Sequence, residues 1–354
     1  MRQHGMVRQL GLGLWLAMAL LGCQRAGTVA YLAHVTAGQA RILLHQESLA
    51  DLDRSRMSPG ERANLALLED VRSFARGVGL QIEGQYTRFY ASDASWAVWV
   101  LTASPPTAPV LHTWEFPIAG RVPYLGFFDR GRAEQFRDRY RAEGYHTALR
   151  TASAYSTLGW FDDPLFRAQL DASRPSFAAT LLHELVHATV YQPGASDWNE
   201  SVASFTEDKL LELYQLQRAA FTAGELEEKS AREADAREMR AAVAQARGAI
   251  EDLYRRSPGR YPHDVTAVID TWRAALPTRP WRRLHGERLA QRPWPVPALL
   301  GMGLYATETG YLDAAWQRLS QGHTSPDVMR RWLVWLQRCA DERRDYSCLQ
   351  DVRP

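Results

Sequence analysis

The 354-residue sequence predicts an α+β fold with a small mixed sheet and a predominantly helical C-terminal half. Three observations carry this reading. Residues 84 to 130 gather aromatic and β-branched side chains between prolines and glycines, as short strands do. The flanking stretches repeat apolar residues every three or four positions, the period of a half-buried helix. Residues 201 to 256 contain no proline and are rich in Ala, Glu, Arg and Leu, which favours long helices.

Taken in order, the chain opens with Arg2 and Arg8 ahead of an apolar run from Leu10 to Leu21. The run is too short for an ordinary membrane-spanning helix and reads as a secretion signal. It ends in Leu20-Leu21-Gly22-Cys23, which resembles a bacterial lipobox, so residues 1–22 are expected to be removed and Cys23 lipidated; the competing readings are a plain signal peptide and a short anchor helix. Several acyl chains on one cysteine give stable anchoring. Gln24 is not the aspartate that retains lipoproteins at the inner membrane. Next comes a helical stretch to about Val78, with Leu32, Val35, Ile42 and Leu49 as its first stripe. Ser58-Pro59-Gly60-Glu61 opens a second helix through Leu65, Leu68, Val71 and Phe74.

Strands follow around Tyr86 to Tyr90, Trp96 to Leu101 and Thr113 to Phe116. A helix is expected over residues 132–143 and a further strand over Thr147 to Ala152. The long helices after residue 201 are expected to break near Gly224 and Gly248. Ala231 to Ala246 is polar enough to predict an exposed helix or hairpin tip. Shorter helices are predicted at Asp264 to Ala275, Ala298 to Tyr305, Leu312 to Leu319 and Pro326 to Arg338, with Trp332 and Trp335 as packing residues.

Without residues 1–22 the chain loses Arg2 and Arg8 and no acid, leaving 40 basic and 40 acidic side chains. No basic excess points to nucleic acid, and no protein partner is predicted. Arg282-Arg283 and Arg343-Arg344 read as solvated surface. Cys339 and Cys348 are spaced so that they can close a short loop in an oxidising compartment, or remain two free thiols.

His183-Glu184-Leu185-Val186-His187 is the motif that carries chemistry. Composition alone gives an accidental HExxH with a chance of roughly 2%. On a helix, positions i and i+4 share a face, so His183 and His187 can grip one metal ion while Glu184 reaches a water beside it. Ser173 is the expected N-cap and Pro175 sits in the first turn. Ala178, Leu181 and Leu185 fall opposite the histidines, and Tyr191-Gln192-Pro193-Gly194 ends the helix. Glu200 opens a second helical pattern through Val202, Phe205 and Leu210, and a turn at Pro193 to Ser196 would fold it back. His183, His187 and Glu200 then make a His₂Glu set, a known catalytic zinc constellation with one position left open. The rival use of Glu200 is as the N3 partner of a capping box begun by Asp197. Glu207 and Asp208 are the fallback ligands, or sit behind the site or on a solvated face.

The segments Phe116-Pro117-Ile118-Ala119-Gly120, Tyr124-Leu125-Gly126-Phe127-Phe128 and Tyr155 to Pro164, with the HExxH and Asn199-Glu200-Ser201, resemble those of the bacterial putative aminopeptidases. These are lipoproteins of the zincin superfamily. The matching segments span most of the chain from Cys23 to about Leu210. The Asn-Glu pair is also similar to the thermolysin-like gluzincins, where that glutamate binds zinc, although the gap from the HExxH is shorter here. Where the family often has Asn-Asn-Ala, this chain reads Pro295-Val296-Pro297-Ala298.

The resemblance implies a zincin-like catalytic core over residues 23–210 and a helical region, 211–354, completing the cleft. It further implies one Zn²⁺ per chain, hydrolysis of peptides from their N-terminus with Glu184 as general base, and a place on the periplasmic face of an outer membrane. Tyr305, on a downstream helix, is the candidate donor to the oxyanion, with Tyr155 as its rival. Glu115, Asp162 and Asp163 are candidates for a substrate amino group. A zinc endopeptidase, or an envelope scaffold with a non-catalytic zinc site, are the competing readings.

Overall fold

The computed structural model describes residues 26–91, 98–116, 120–152, 164–302, 310–342 and 346–352. Helix α1 (Ala26–His45) is followed by β1 (Glu47–Ser48), which places Leu49 just beyond that strand. Helix α2 (Pro59–Gly77) begins where Ser58 predicts. The Ser58 hydroxyl accepts from the Glu61 backbone and the Glu61 carboxylate accepts from the Ser58 backbone, a complete capping box. Strands β2 (Arg88–Tyr90), β3 (Val98–Ser104), β4 (Trp114–Phe116), β5 (Gly120–Val122) and β6 (Leu125–Phe127) lead to α3 (Arg130–Ala142), β7 (His146–Ala152) and β8 (Leu165–Phe166). The rest is helical: α4 (Arg167–Leu170), α5 (Arg174–Thr189), α6 (Ser196–Arg218), α7 (Ala223–Arg256), α8 (Tyr261–Ala274), α9 (Gly286–Gln291), α10 (Val296–Met302), α11 (Gly310–Ser320) and α12 (Pro326–Asp341).

The α+β reading holds, but among the described residues the strands fall into three small sheets. One is mixed, with β2 antiparallel to β1 and parallel to β8. The second places β3 between β6 and β7, antiparallel to both. The third is the hairpin of β4 and β5. Only β3 and β7 are seven residues long, so only they build an extended ladder, from Val98 opposite Ala152 to Ser104 opposite His146.

The main core lies among α2, α5, α6, α11 and α12. It buries Val71, Phe74, Leu182, Leu185, Val202, Leu210, Trp316 and Trp332, and so joins residues on both sides of position 210. A smaller core of Leu101, Leu125, Phe127 and Phe136 fills the space between the β3 sheet and α3. Trp332 is fully buried, as its packing assignment predicts, and its indole N–H donates to Thr206 Oγ1 at 3.1 Å. Cys339 and Cys348 are joined in a disulfide, with Cα atoms 5.8 Å apart. No helix among the described residues is long and apolar enough to cross a membrane.

The expected helix breaks and exposed tip after residue 201 are not found. The chain breaks at Ala219, in the left-handed region at φ 46°, and not at Gly224, which lies in the first turn of α7 behind a Thr222–Glu225 capping box. Helix α7 then runs 34 residues straight through Gly248. The stretch from Ala231 to Ala246 is neither a tip nor fully exposed. Met239, Ala242, Val243, Ala246 and Ile250 form a stripe that packs on Val265, Ile269 and Trp272 of α8 and on Leu299 of α10. The stripe is built largely of small residues, so its apolar content is weak in sequence although the contact it allows is close.

Asp235 sits in the same stripe, 3% exposed. Its carboxylate accepts from the backbone N–H groups of Arg282, Arg283 and Leu284 at 2.6–2.7 Å. Burial works against its charge, but those three donors hold its pKa below the ordinary carboxylate value. Asp235→Ala would strand three amides and is expected to cost roughly 3 kcal/mol or more in urea unfolding. Arg282→Ala, which leaves the backbone donor in place, should cost no more than about 0.5 kcal/mol.

Candidate metal centre

Three anchors position the helix that carries the HExxH. At its start, the buried Asn64 side chain on α2 donates to the carbonyls of Leu170 and Ala172 at 2.9 and 2.8 Å, fixing the turn into α5. Ser173 occupies the N-cap position with Pro175 in the first turn, though its hydroxyl bonds to Ser176 Oγ and not to a backbone amide. At the far end, Thr189 accepts from the Gln81 backbone at 2.9 Å. Between them Ala178, Leu181, Leu182, Leu185 and Val186 are all buried. The 3.6-residue period therefore turns His183 and His187 to the opposite side.

Helix α6 is brought back onto α5 by a short loop in which Gly194 takes φ 82°, a conformation glycine adopts without strain. Asn199 locks that loop. Its Oδ1 accepts from the Gln192 N–H and its Nδ2 donates to the Gln192 carbonyl, both at 2.8 Å. Asn199 is 4% exposed, so the pair is shielded from competing water. The next residue is Glu200, and the clamp thus sets where its carboxylate begins. Sequence reasoning gave Asn199 no role. The available signal was an amide side chain in the first turn of a helix directly after a Pro-Gly loop.

The geometry at the centre is compact. His183 Nε2 and His187 Nε2 lie 3.1 Å apart. Glu200 Oε2 is 3.5 Å from the first, and Glu200 Oε1 is 3.5 Å from the second. Ligand atoms at about 2.0–2.1 Å from a tetrahedral zinc would be separated by roughly 3.3 Å. The three observed separations are close to that value, with one oxygen of the Glu200 carboxylate facing each imidazole. One ligand atom from each of these three residues lies within 4.8 Å of the others, which makes them a group able to hold one metal ion. The capping-box use of Glu200 is not formed, because α6 begins at Ser196 with Ala195 at the N-cap and no side-chain cap.

Glu207, one of the two fallback ligands, lies behind the triangle. Its Oε2 is 3.2 Å from His183 Nδ1, the ring nitrogen facing away from His187. Asp208 points elsewhere, with an exposed side chain 4.0 Å from Lys229. Small residues, Ala203 and Ser204, occupy the α6 turn between Glu200 and Glu207.

Electrostatics couple the same groups. Burial penalises the charged form of His183, but hydrogen bonds to Glu200 and Glu207, with Glu184 nearby, raise its pKa far above that of a free imidazole. Burial equally opposes charge on Glu200, yet the two imidazoles hold its pKa far below the usual carboxylate value. The carboxylates around the two imidazoles thus favour positive charge on His183.

The family model described as putative aminopeptidase matches residues 30–345. The chain belongs to that family. Comparison with curated proteins gave no match, and comparison with solved structures gave none. Of the other residues singled out in this putative aminopeptidase family member, Glu115 is exposed on β4. Cys23, Tyr155, Asp162, Asp163 and Tyr305 lie outside the described residues.

Replacing Glu207 by Ala should leave the fold intact and weaken metal binding by about 10- to 100-fold, the usual effect of losing the group that orients a ligating histidine. Competition with a chromophoric chelator measures this directly. Asp208→Ala should leave the affinity unchanged.

Proposed function

We propose that this chain is a zinc-dependent peptide hydrolase of zincin-like architecture that removes N-terminal residues from peptides. The observation that supports it most is the convergence of His183, His187 and Glu200 at separations suited to a tetrahedral ion. Two imidazoles and one carboxylate are a donor set zinc accepts, and they leave a fourth position for water or substrate. Zinc bound there would lower the pKa of a water in that position to about 7 and polarise a substrate carbonyl.

The protein's own groups do the rest. Glu184, partly buried and next to His183 on α5, takes the proton from the attacking water and delivers it to the leaving amine. Glu207 holds the His183 ring so that Nε2 faces inward. Tyr305, with Tyr155 as its rival, is the proposed donor to the developing oxyanion.

The chain is further proposed to be a lipoprotein, anchored through Cys23 on the periplasmic face of an outer membrane. The Cys339–Cys348 bond fits such an oxidising compartment.

Glu184→Gln is expected to retain the metal while peptide turnover falls by about 100- to 10,000-fold. His183→Ala should lose both metal and turnover. Equal cleavage of a broad peptide library by wild type and Glu184→Gln would reject the mechanism. Product masses from the same library separate stepwise loss of N-terminal residues from internal cuts, and internal cuts would make the enzyme an endopeptidase.

A further inference from the structure

The first helix has two different faces. One is docked on the body. Tyr31 Oη accepts from the Gly126 backbone at 3.2 Å, and His34 Nε2 accepts from the Phe128 backbone at 3.3 Å. The Tyr31 ring packs on Phe116, Phe127 and Phe136. A side chain at Gly38 would overlap the Phe128 ring, and Ile42 is 2% exposed. The opposite face is bare. Ala33, Thr36, Ala37, Ala40, Leu43 and Leu44 are all exposed, and at 100° per residue they share one side of the helix. Leu44 is 79% exposed.

This face differs from the exposed surfaces of α2 and α7. α2 presents Arg62, Glu69 and Arg76 to solvent, and α7 presents Glu227, Arg232, Arg237 and Arg240. In contrast, α1 contains no Asp or Glu along its 20 residues, and its one fixed positive charge, Arg41, is exposed near its C-terminal end. The helix also starts three residues after Cys23, so its first turn lies within about 10 Å of that residue.

We infer that the outward face of α1 rests on the lipid bilayer, in the boundary between headgroups and acyl chains, and sets the orientation of the catalytic body above its anchor. The inference builds on the lipid anchor proposed at Cys23. A face of alanines and two leucines has too little apolar area to hold a protein on a membrane alone. Tethered by an anchor three residues away, it meets the surface at very high effective concentration, and a weak preference suffices. The lack of acidic groups removes repulsion from anionic lipids, and Arg41 adds attraction.

The test uses the full acylated protein in vesicles of phosphatidylethanolamine and phosphatidylglycerol. Nitroxide labels are placed singly at Ala37→Cys and Ala40→Cys, and at Arg240→Cys on α7 as a solvent reference; all three sites are exposed. The α1 labels should be several-fold less accessible than the reference to a water-soluble relaxant and more accessible to oxygen. Mass spectrometry of the N-terminal peptide reports acylation separately. An acylated protein whose α1 labels are as water-accessible as the reference overturns the membrane placement alone. An unmodified Cys23 overturns the anchor and the placement with it. Protection of the α1 labels without vesicles, together with a doubled mass in solution, would instead assign this face to a second copy of the chain and overturn the inference.

Discussion

Everything at the centre depends on how closely α6 can approach α5. Two imidazoles one helical turn apart present two ring nitrogens, but a carboxylate from a different helix must arrive within a few ångströms of both. Glu200 is at the start of α6, where a helix is held least firmly by its own hydrogen bonds. The Asn199 clamp on Gln192 supplies what the helix lacks there. Ala203, fully buried, keeps side-chain bulk out of the next turn. Loop clamp and small residue together fix one helix against the other, and the convergence of His183, His187 and Glu200 is a consequence.

A cluster with Glu184, Glu200 and Glu207 around two histidines is electrostatically one-sided. Without compensation, burying three carboxylates close together is costly. The histidines compensate in part, which is why His183 is driven toward its charged form and Glu200 away from its neutral one. The support is also asymmetric. His183 is held on its outer nitrogen by Glu207, whereas no described residue pairs with Nδ1 of His187. His187 is oriented instead by its place on the helix and by the edge-on contact with the His183 ring, 4.7 Å between centroids.

Much of this was legible in the sequence because it rests on local rules. Ser58 and Glu61 announce their helix by side-chain chemistry, and the spacing of Leu181, Leu185, His183 and His187 fixes which side of α5 is core. The contacts between segments distant in sequence were not legible. Asn64 reaches across 106 residues to the turn before α5, and no local pattern marks it. The failure at α7 has a different cause. Periodicity is read from large apolar side chains, and a stripe of Ala242, Ala246 and Met239 around a buried Asp235 looks like a solvated helix until the loop amides of Arg282, Arg283 and Leu284 that bind it are known. Glu207 stood among three readings for a similar reason, since a carboxylate seven residues after Glu200 shares its helix face whether or not anything lies opposite.

The C-terminal helices then acquire a physical reason for being part of the same body. Thr206 is the residue before Glu207, and its hydroxyl accepts from the Trp332 indole inside the core. Trp332 is in turn packed edge-on against Trp316 of α11, 5.6 Å between centroids. The end of α12 is tied by Cys339–Cys348 to a 3₁₀ turn over Tyr346–Asp351, whose Leu349 carbonyl accepts from Arg318 of α11. A helix face that must hold a carboxylate on an imidazole cannot be left to rotate, and α6 on its own is free to do so on its far side. Packing α11 and α12 there removes that freedom, so residues more than a hundred positions away in sequence determine how firmly His183 is aimed.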